Sequence, residues 1–216
     1  MKMANVYLAI LLAAGGCGGP TPATPSTTSP ALHGQVSDPV GDAVVTPVIR
    51  NGVVMTPVVP ILPDLVAATI DVSSGNLTAT VSFAPGTLSH ADTVFCVLLD
   101  TDENSATGNS GSGQDRATFG WDYSLCAVDP RGSTTSQIAR ALGPSQPGQI
   151  MPVTSSSTTF PSADQSRLTV PLSLLGNGNG RLAFKVISMQ WVDAPIGSTA
   201  VIDWMPDVGL PPALVR

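Results

Sequence analysis

The chain has 216 residues, which leaves room for one full-sized domain beyond any leader. Only 11% of the residues are charged, while Gly and Pro number 21 and 20, a profile of strands and loops rather than of solvated helices. The net charge of −6 disfavours nucleic acid as a partner, because a phosphate backbone attracts Lys and Arg surfaces.

The chain opens with Lys2, an apolar run over Val6–Ala14, and then Gly15-Gly16-Cys17. A run of nine residues is too short to span a bilayer, which takes about 20 as a helix. One positive charge, a short apolar core and small residues are the parts of a secretory signal. Ala14-Gly15-Gly16-Cys17 resembles the lipobox of bacterial lipoproteins, although Ala14 stands where Leu is usual. That likeness implies cleavage after residue 16 and a lipid on Cys17, with Gly18 in place of Asp permitting outer-membrane sorting in a Gram-negative host. An ordinary cleaved signal, with Cys17 unmodified, is the alternative. Residues 17–35 then read as a Pro/Ser/Thr tether, too poor in apolar side chains to pack. The membrane partner is thus reached through an N-terminal lipid, and the protein is expected to be exported and anchored to the cell envelope.

The expected domain covers 36–210, followed by a tail at 211–216. Asp38-Pro39-Val40-Gly41-Asp42 begins it; Pro39 and Gly41 favour a hydrogen-bonded turn. Together with Asp64 these acids form a second acidic cluster (Asp38, Asp42, Asp64), for which a metal is the alternative reading. Residues 43–63 are Val-rich but broken by four prolines, an edge hairpin or a long loop. From Val66, Ala68, Ile70 and Val72 alternate with polar residues; Ser73-Ser74-Gly75-Asn76 supplies a turn; Leu77, Ala79, Val81 and Phe83 alternate again. This is a hairpin with one buried face. Val94–Leu99 is continuously apolar and suits a central strand. Phe119–Val128, Arg167–Leu172, Arg181–Met189 and Thr199–Trp204 are four further strands, and Ser136–Leu142 is the one stretch with a weak helix signal. About seven short strands separated by turns predict an all-β fold, an antiparallel β-sandwich of jelly-roll or immunoglobulin-like type. Cys96 and Cys126 lie in two of the apolar runs and are expected to form a disulfide between neighbouring strands in an oxidising compartment.

The acids are fourteen Asp and a single Glu, Glu103, a skew suited to turns and calcium loops. Asp100-x-Asp102-x-Asn104 sets three oxygen-bearing side chains at alternate positions just past a strand, and calcium takes six to eight such hard ligands. An EF-hand is excluded, since Ser105 and Gly111 stand where that loop needs Gly and a bidentate Glu. Further calcium ligands would come from Thr107, backbone oxygens, Asp115 or Asp122. A plain polar loop, with the Asp side chains capping turns, is the competing reading.

Asp38-Pro39-Val40-Gly41-Asp42, Pro63-Asp64-Leu65, Leu99–Asn104 with Thr107-Gly108, Gly120-Trp121-Asp122-Tyr123 and Leu168–Gly176 occur here in that order. The set resembles extracellular modules related to DOMON and family 9 carbohydrate-binding domains, over about 36–210. The resemblance implies a sandwich that carries a ligand or calcium; no haem-ligand pattern accompanies it. Trp121, Tyr123, Trp191 and Trp204 are the candidate faces for sugar stacking. His33 and His90 are the only histidines and neither belongs to a catalytic motif, so the chain is expected not to be an enzyme. The expected role is binding of a glycan or an envelope protein, with a structural or assembly role in the envelope, or an Asp-dependent hydrolase, as alternatives.

Overall fold

The computed structural model describes residues 31–216 apart from 46, 51–52, 57, 60, 90–91, 110–117, 129–134, 144–148, 152–155, 177–178 and 193–197. The signal, Cys17, most of the tether, His90 and Asp115 therefore lie outside the described residues, as do the side chains of Trp191 and Val192.

Two antiparallel sheets pack face to face. The smaller has five strands in the order β1-β4-β5-β11-β10: β1 (Leu32–Ser37), β4 (Leu65–Ser73), β5 (Asn76–Phe83), β11 (Gln165–Pro171) and β10 (Ser157–Ser162). The larger runs β13-β12-β6-β7-β8-β9: β13 (Ser198–Met205), β12 (Leu182–Val192), β6 (Thr93–Asp100), β7 (Tyr123–Val128), β8 (Thr135–Arg140) and β9 (Gln149–Met151). A seventh strand, β14 (Ala213–Val215), shares one edge of β12 with β13, pairing Leu182–Phe184 while β13 pairs Val186–Val192. β2 (Val48–Arg50) and β3 (Val53–Met55) form a separate hairpin in the Pro-broken stretch. One short 3-10 turn, Leu172–Leu175, follows β11.

Alternation explains the packing. Ala68, Ile70 and Val72 of β4 and Leu77, Ala79, Val81 and Phe83 of β5 face Phe95, Val97, Leu99, Leu125, Phe184 and Val186 of the larger sheet. All are essentially sealed from water, and burial of each large side chain contributes roughly 1.5–3 kcal/mol. The Phe83 and Phe95 rings meet edge to face across the layers, centroids 5.6 Å apart. β6 is buried on both faces. Its Val94, Cys96 and Leu98 form a second cluster on the outer side of the larger sheet, with Phe119 over them and Trp121, Cys126, Ile187, Met189 and Trp204 around them. Cys96 and Cys126 are directly opposed in register and form a disulfide there. A cross-strand disulfide fits an oxidising, extracytoplasmic compartment.

The sheets extend beyond the expected span at both ends. β1 begins at Leu32, inside the stretch read as tether, because its register with β4 satisfies its backbone despite few apolar side chains. The 211–216 tail contains β14, whose Val215 is fully buried. Ser136–Leu142 is no helix: β8 occupies it, between β7 and β9, and pairing overrides the local preference. In β4 a bulge between Leu65 and Ala67 puts Leu65, not Val66, in the core.

Candidate functional site: two acidic clusters and a groove

The first cluster sits where β6 hands over to β7. Asp100 ends β6, buried at 3% exposure, and Asp102 and Asp122 approach it. One ligand oxygen from each of the three lies within 4.8 Å of the others. The loop binds its own carboxylates: the Asn104 N–H donates to Asp100 Oδ1 at 3.1 Å and to Asp102 Oδ1 at 3.0 Å. Thr101 gives Asp122 Oδ2 both its N–H at 2.8 Å and its hydroxyl at 2.9 Å. The Thr107 hydroxyl lies 3.0 Å from both oxygens of Asp102. The Asn104 side chain caps a turn, accepting the Ala106 N–H at 3.1 Å. Burial, with the Asp102 and Asp122 charges beside it, pushes Asp100 up to about 6, against the pull of the Asn104 N–H.

The loop closes on itself through paired backbone bonds between Asn109 and Trp121, both at 2.8 Å. Gly108 and Gly120 permit that approach: a Cβ on Gly120 would overlap the Thr107 carbonyl oxygen, and Gly108 has φ +65° against the Trp121 carbonyl. The last residue of the chain adds a tie, since Arg216 pairs through both terminal nitrogens with the Glu103 carboxylate. Beside the cluster opens a groove of about 480 Å³. Asp102 and Asp122 line one part of it, and Arg140, Gly143, Leu175 and the edge of Tyr123 line the rest.

The second cluster lies at the other end of the sandwich. Asp64 precedes β4, whereas the Leu172–Leu175 turn that borders the groove is hydrogen-bonded to Gly75 at the far end of that strand. Asp38 and Asp42 follow β1, and the fold brings to them two residues beyond the sequence-predicted set, Asp203 of β13 and Asp207. Asp42, Asp64 and Asp203 form one group of oxygens within 4.8 Å; Asp38, Asp42 and Asp207 form another. Val40-Gly41 makes a turn, and the Gly41 N–H donates to Asp64 Oδ2 at 2.8 Å. Asp203 Oδ2 accepts the Leu65 N–H at 2.6 Å, and its Oδ1 accepts the Trp204 N–H at 2.8 Å. Burial, then the neighbouring carboxylate charges, push Asp38 up to about 7, and burial does the same to Asp203 with Asp42 and Asp64 adding to it. Asp42 is raised by burial and by Asp207 and Asp64.

Both clusters could hold a metal ion through hard oxygen donors. Of the described aromatic candidates only Tyr123 borders the groove. Tyr123 is a core residue with an edge on the groove, while Trp121 and Trp204 pack at the outer-face cluster around the disulfide. Arg140, Asp203 and Asp207 were missed by sequence reasoning. Only Asp203-Trp204-Met205-Pro206-Asp207, where an apolar strand runs into a Pro-rich segment, carried a local signal for the last two.

The class of protein these features define is an all-β, two-sheet antiparallel sandwich. Comparison with protein-family models gave no match, and comparison with curated proteins gave none either.

Proposed function

We propose that the chain is an exported, non-catalytic β-sandwich binding module, lipid-anchored to the envelope through Cys17. In this reading Asp100, Asp102 and Asp122 hold calcium at the edge of the groove, and the groove takes a polyhydroxylated ligand of the glycan class. The carrying observation is that two members of an acidic triad, Asp102 and Asp122, line a groove that also presents Arg140, since hydroxyl-rich ligands are bound by a few well-placed polar groups over an apolar floor. The resemblance to DOMON and family 9 carbohydrate-binding modules supports the same reading. Thr107 and Asn104 would orient the carboxylates, and bound calcium would supply a hard cation to ligand hydroxyls.

A glycan-array screen with and without calcium tests this. Calcium-dependent binding that Asp102→Asn and Arg140→Ala each weaken at least about 10-fold is expected. Absence of any calcium-dependent glycan signal, together with co-purification of envelope proteins, would replace it with the structural or assembly reading. One observation favours that second reading: the described tryptophan side chains, Trp121 and Trp204, pack at the outer-face cluster and do not line the groove.

A further inference from the structure

The second cluster contains a feature that the first lacks. Asp38 Oδ2, Asp42 Oδ1 and Asp64 Oδ1 are sealed from solvent and have no hydrogen-bond partner. Asp64 is the decisive one: it is 5% exposed, its other oxygen is held by the Gly41 N–H, and its carboxylate belongs to the group that closes with Asp42 and Asp203. A buried acceptor with no donor costs roughly 1–3 kcal/mol, and more when it is charged. These oxygens come from two segments, Asp38 and Asp42 after β1 and Asp64 before β4, and Asp42 is grouped with each of the other two. Turn-forming Asp side chains bond to the backbone a few residues on; these remain unpaired.

We propose that Asp38, Asp42, Asp64, Asp203 and Asp207 form a structural site for a divalent cation of the calcium class, which joins the segment after β1 and the start of β4 to β13 and its exit. Two oxygens bound to one calcium ion at about 2.4 Å can be no further apart than about 4.8 Å, the limit that both groups here satisfy. Asp42 belongs to both groups and would be the shared ligand. The side chains are all-oxygen and acidic, which suits a hard cation; neither His nor Cys takes part. Magnesium demands a near-ideal octahedron and retains its waters, whereas calcium tolerates crowded carboxylates. Lys185, a fully buried cation on β12, directs its Nζ at the Asp207 carbonyl oxygen at 3.1 Å. The result is a clamp across the two layers: β1 and β4 belong to the smaller sheet, β13 to the larger.

The experiment uses the full chain, stripped with a chelator and titrated with calcium chloride by calorimetry, with terbium luminescence excited through tryptophan as a second readout. Asp102→Asn removes a ligand from the loop cluster and Asp64→Asn one from this cluster, while the Asn amide oxygen can still accept the Gly41 N–H. One calcium equivalent that persists in Asp102→Asn and weakens at least about 10-fold in Asp64→Asn supports the site. Should Asp64→Asn fail to fold, Asp42→Asn and Asp38→Asn on the less buried side make the same measurement. Unchanged calcium stoichiometry and affinity in the folded variants of this cluster overturns the proposal. Loss of the only equivalent in Asp102→Asn overturns it as well, and leaves the loop reading standing.

Discussion

The two ends of the sandwich use the same residue type in opposite ways. At the groove end, Asp100 and Asp122 flank one loop between adjacent strands, and the described carboxylate contacts come from that loop: the Thr101 and Asn104 N–H groups and the Thr101 and Thr107 hydroxyls. Four residues further into the sheet from each of these acids, Cys96 and Cys126 lock the two strands covalently. At the other end, five Asp residues arrive from segments as far apart as 38 and 207, and three buried oxygens have no donor. The first cluster draws its donors from its own loop, so in the proposed reading an ion there would serve ligand contact. The second has the Gly41, Leu65 and Trp204 N–H groups but leaves three buried oxygens without a donor, so in the proposed reading an ion there would serve the fold. On the two proposals, that contrast separates two effects of calcium: ligand binding would belong to the groove end and stability to the other.

The largest expected effect tests the covalent side of the contrast. Replacing Cys96 and Cys126 with Ser frees a 30-residue loop, and the chain-entropy relation puts the loss at about 3.5 kcal/mol. For a domain of this size that is a fall in Tm of about 7–14 °C by calorimetry or circular dichroism. Calcium binding at the groove end should weaken in this variant while the calcium effect on Tm is preserved. Loss of the Tm effect together with groove binding would erase the distinction between the two ends.

Next in size is calcium itself. At a free concentration about 100 times its Kd, a cation that binds only the folded state contributes about 2.7 kcal/mol, or about 5–10 °C in Tm. Asp102→Asn should keep most of that rise and lose ligand binding; Asp64→Asn should do the reverse. A variant pair in which both effects travel together would sink the assignment of separate roles.

How much of this was legible in the sequence depended on whether the signal was local. Period-two alternation gave the β4–β5 hairpin, and the unbroken apolar run gave β6, because side-chain spacing alone reports a half-buried or a doubly buried strand. The groove-end cluster was visible for the same reason: Asp100, Asp102 and Asn104 fall within five residues, and Asp122 adjoins the next strand. The other cluster was half visible. Asp203 and Asp207 stand well over a hundred residues from Asp64 and reach it only because β13 pairs with β12, which pairs with β6. No spacing rule carries that information. β1, β10 and β14 were also missed, since edge strands are set by backbone pairing more than by apolar pattern. The Trp residues illustrate the converse: an aromatic looks the same in sequence whether it stacks on a ligand or, like Trp121 and Trp204, packs beside a disulfide.

A smaller and more local test compares single carboxylates. Asp203→Ala leaves the buried Leu65 N–H without its acceptor, at a cost of roughly 1–3 kcal/mol. Asp122→Ala unpairs Thr101 at a half-buried position where water can replace the lost oxygen, so about 1 kcal/mol or less is expected. Chemical denaturation of both variants in chelator measures the difference directly. Equal losses would mean that solvent reaches both ends alike.

The pH dependence is of similarly small size, and its sign is the informative part. In the metal-free protein Asp38 and Asp203 titrate at about 7 and Asp42 is also raised, against an ordinary value of 3.8. Between those limits the folded state holds protons that the unfolded chain has released. Stability from these groups is therefore fully present below about 4 and is lost as pH climbs through 7. Asp100, at about 6, follows the same course over a narrower range. In chelator, acidification from pH 8 to pH 5.5 should raise Tm by about 2–6 °C once solvent screening is allowed for. In saturating calcium the slope should reverse, because protons then compete with the cation for the same oxygens. A Tm that falls on acidification in chelator would mean that these carboxylates already have a counter-charge within the fold, and the distinction between the two ends would no longer hold.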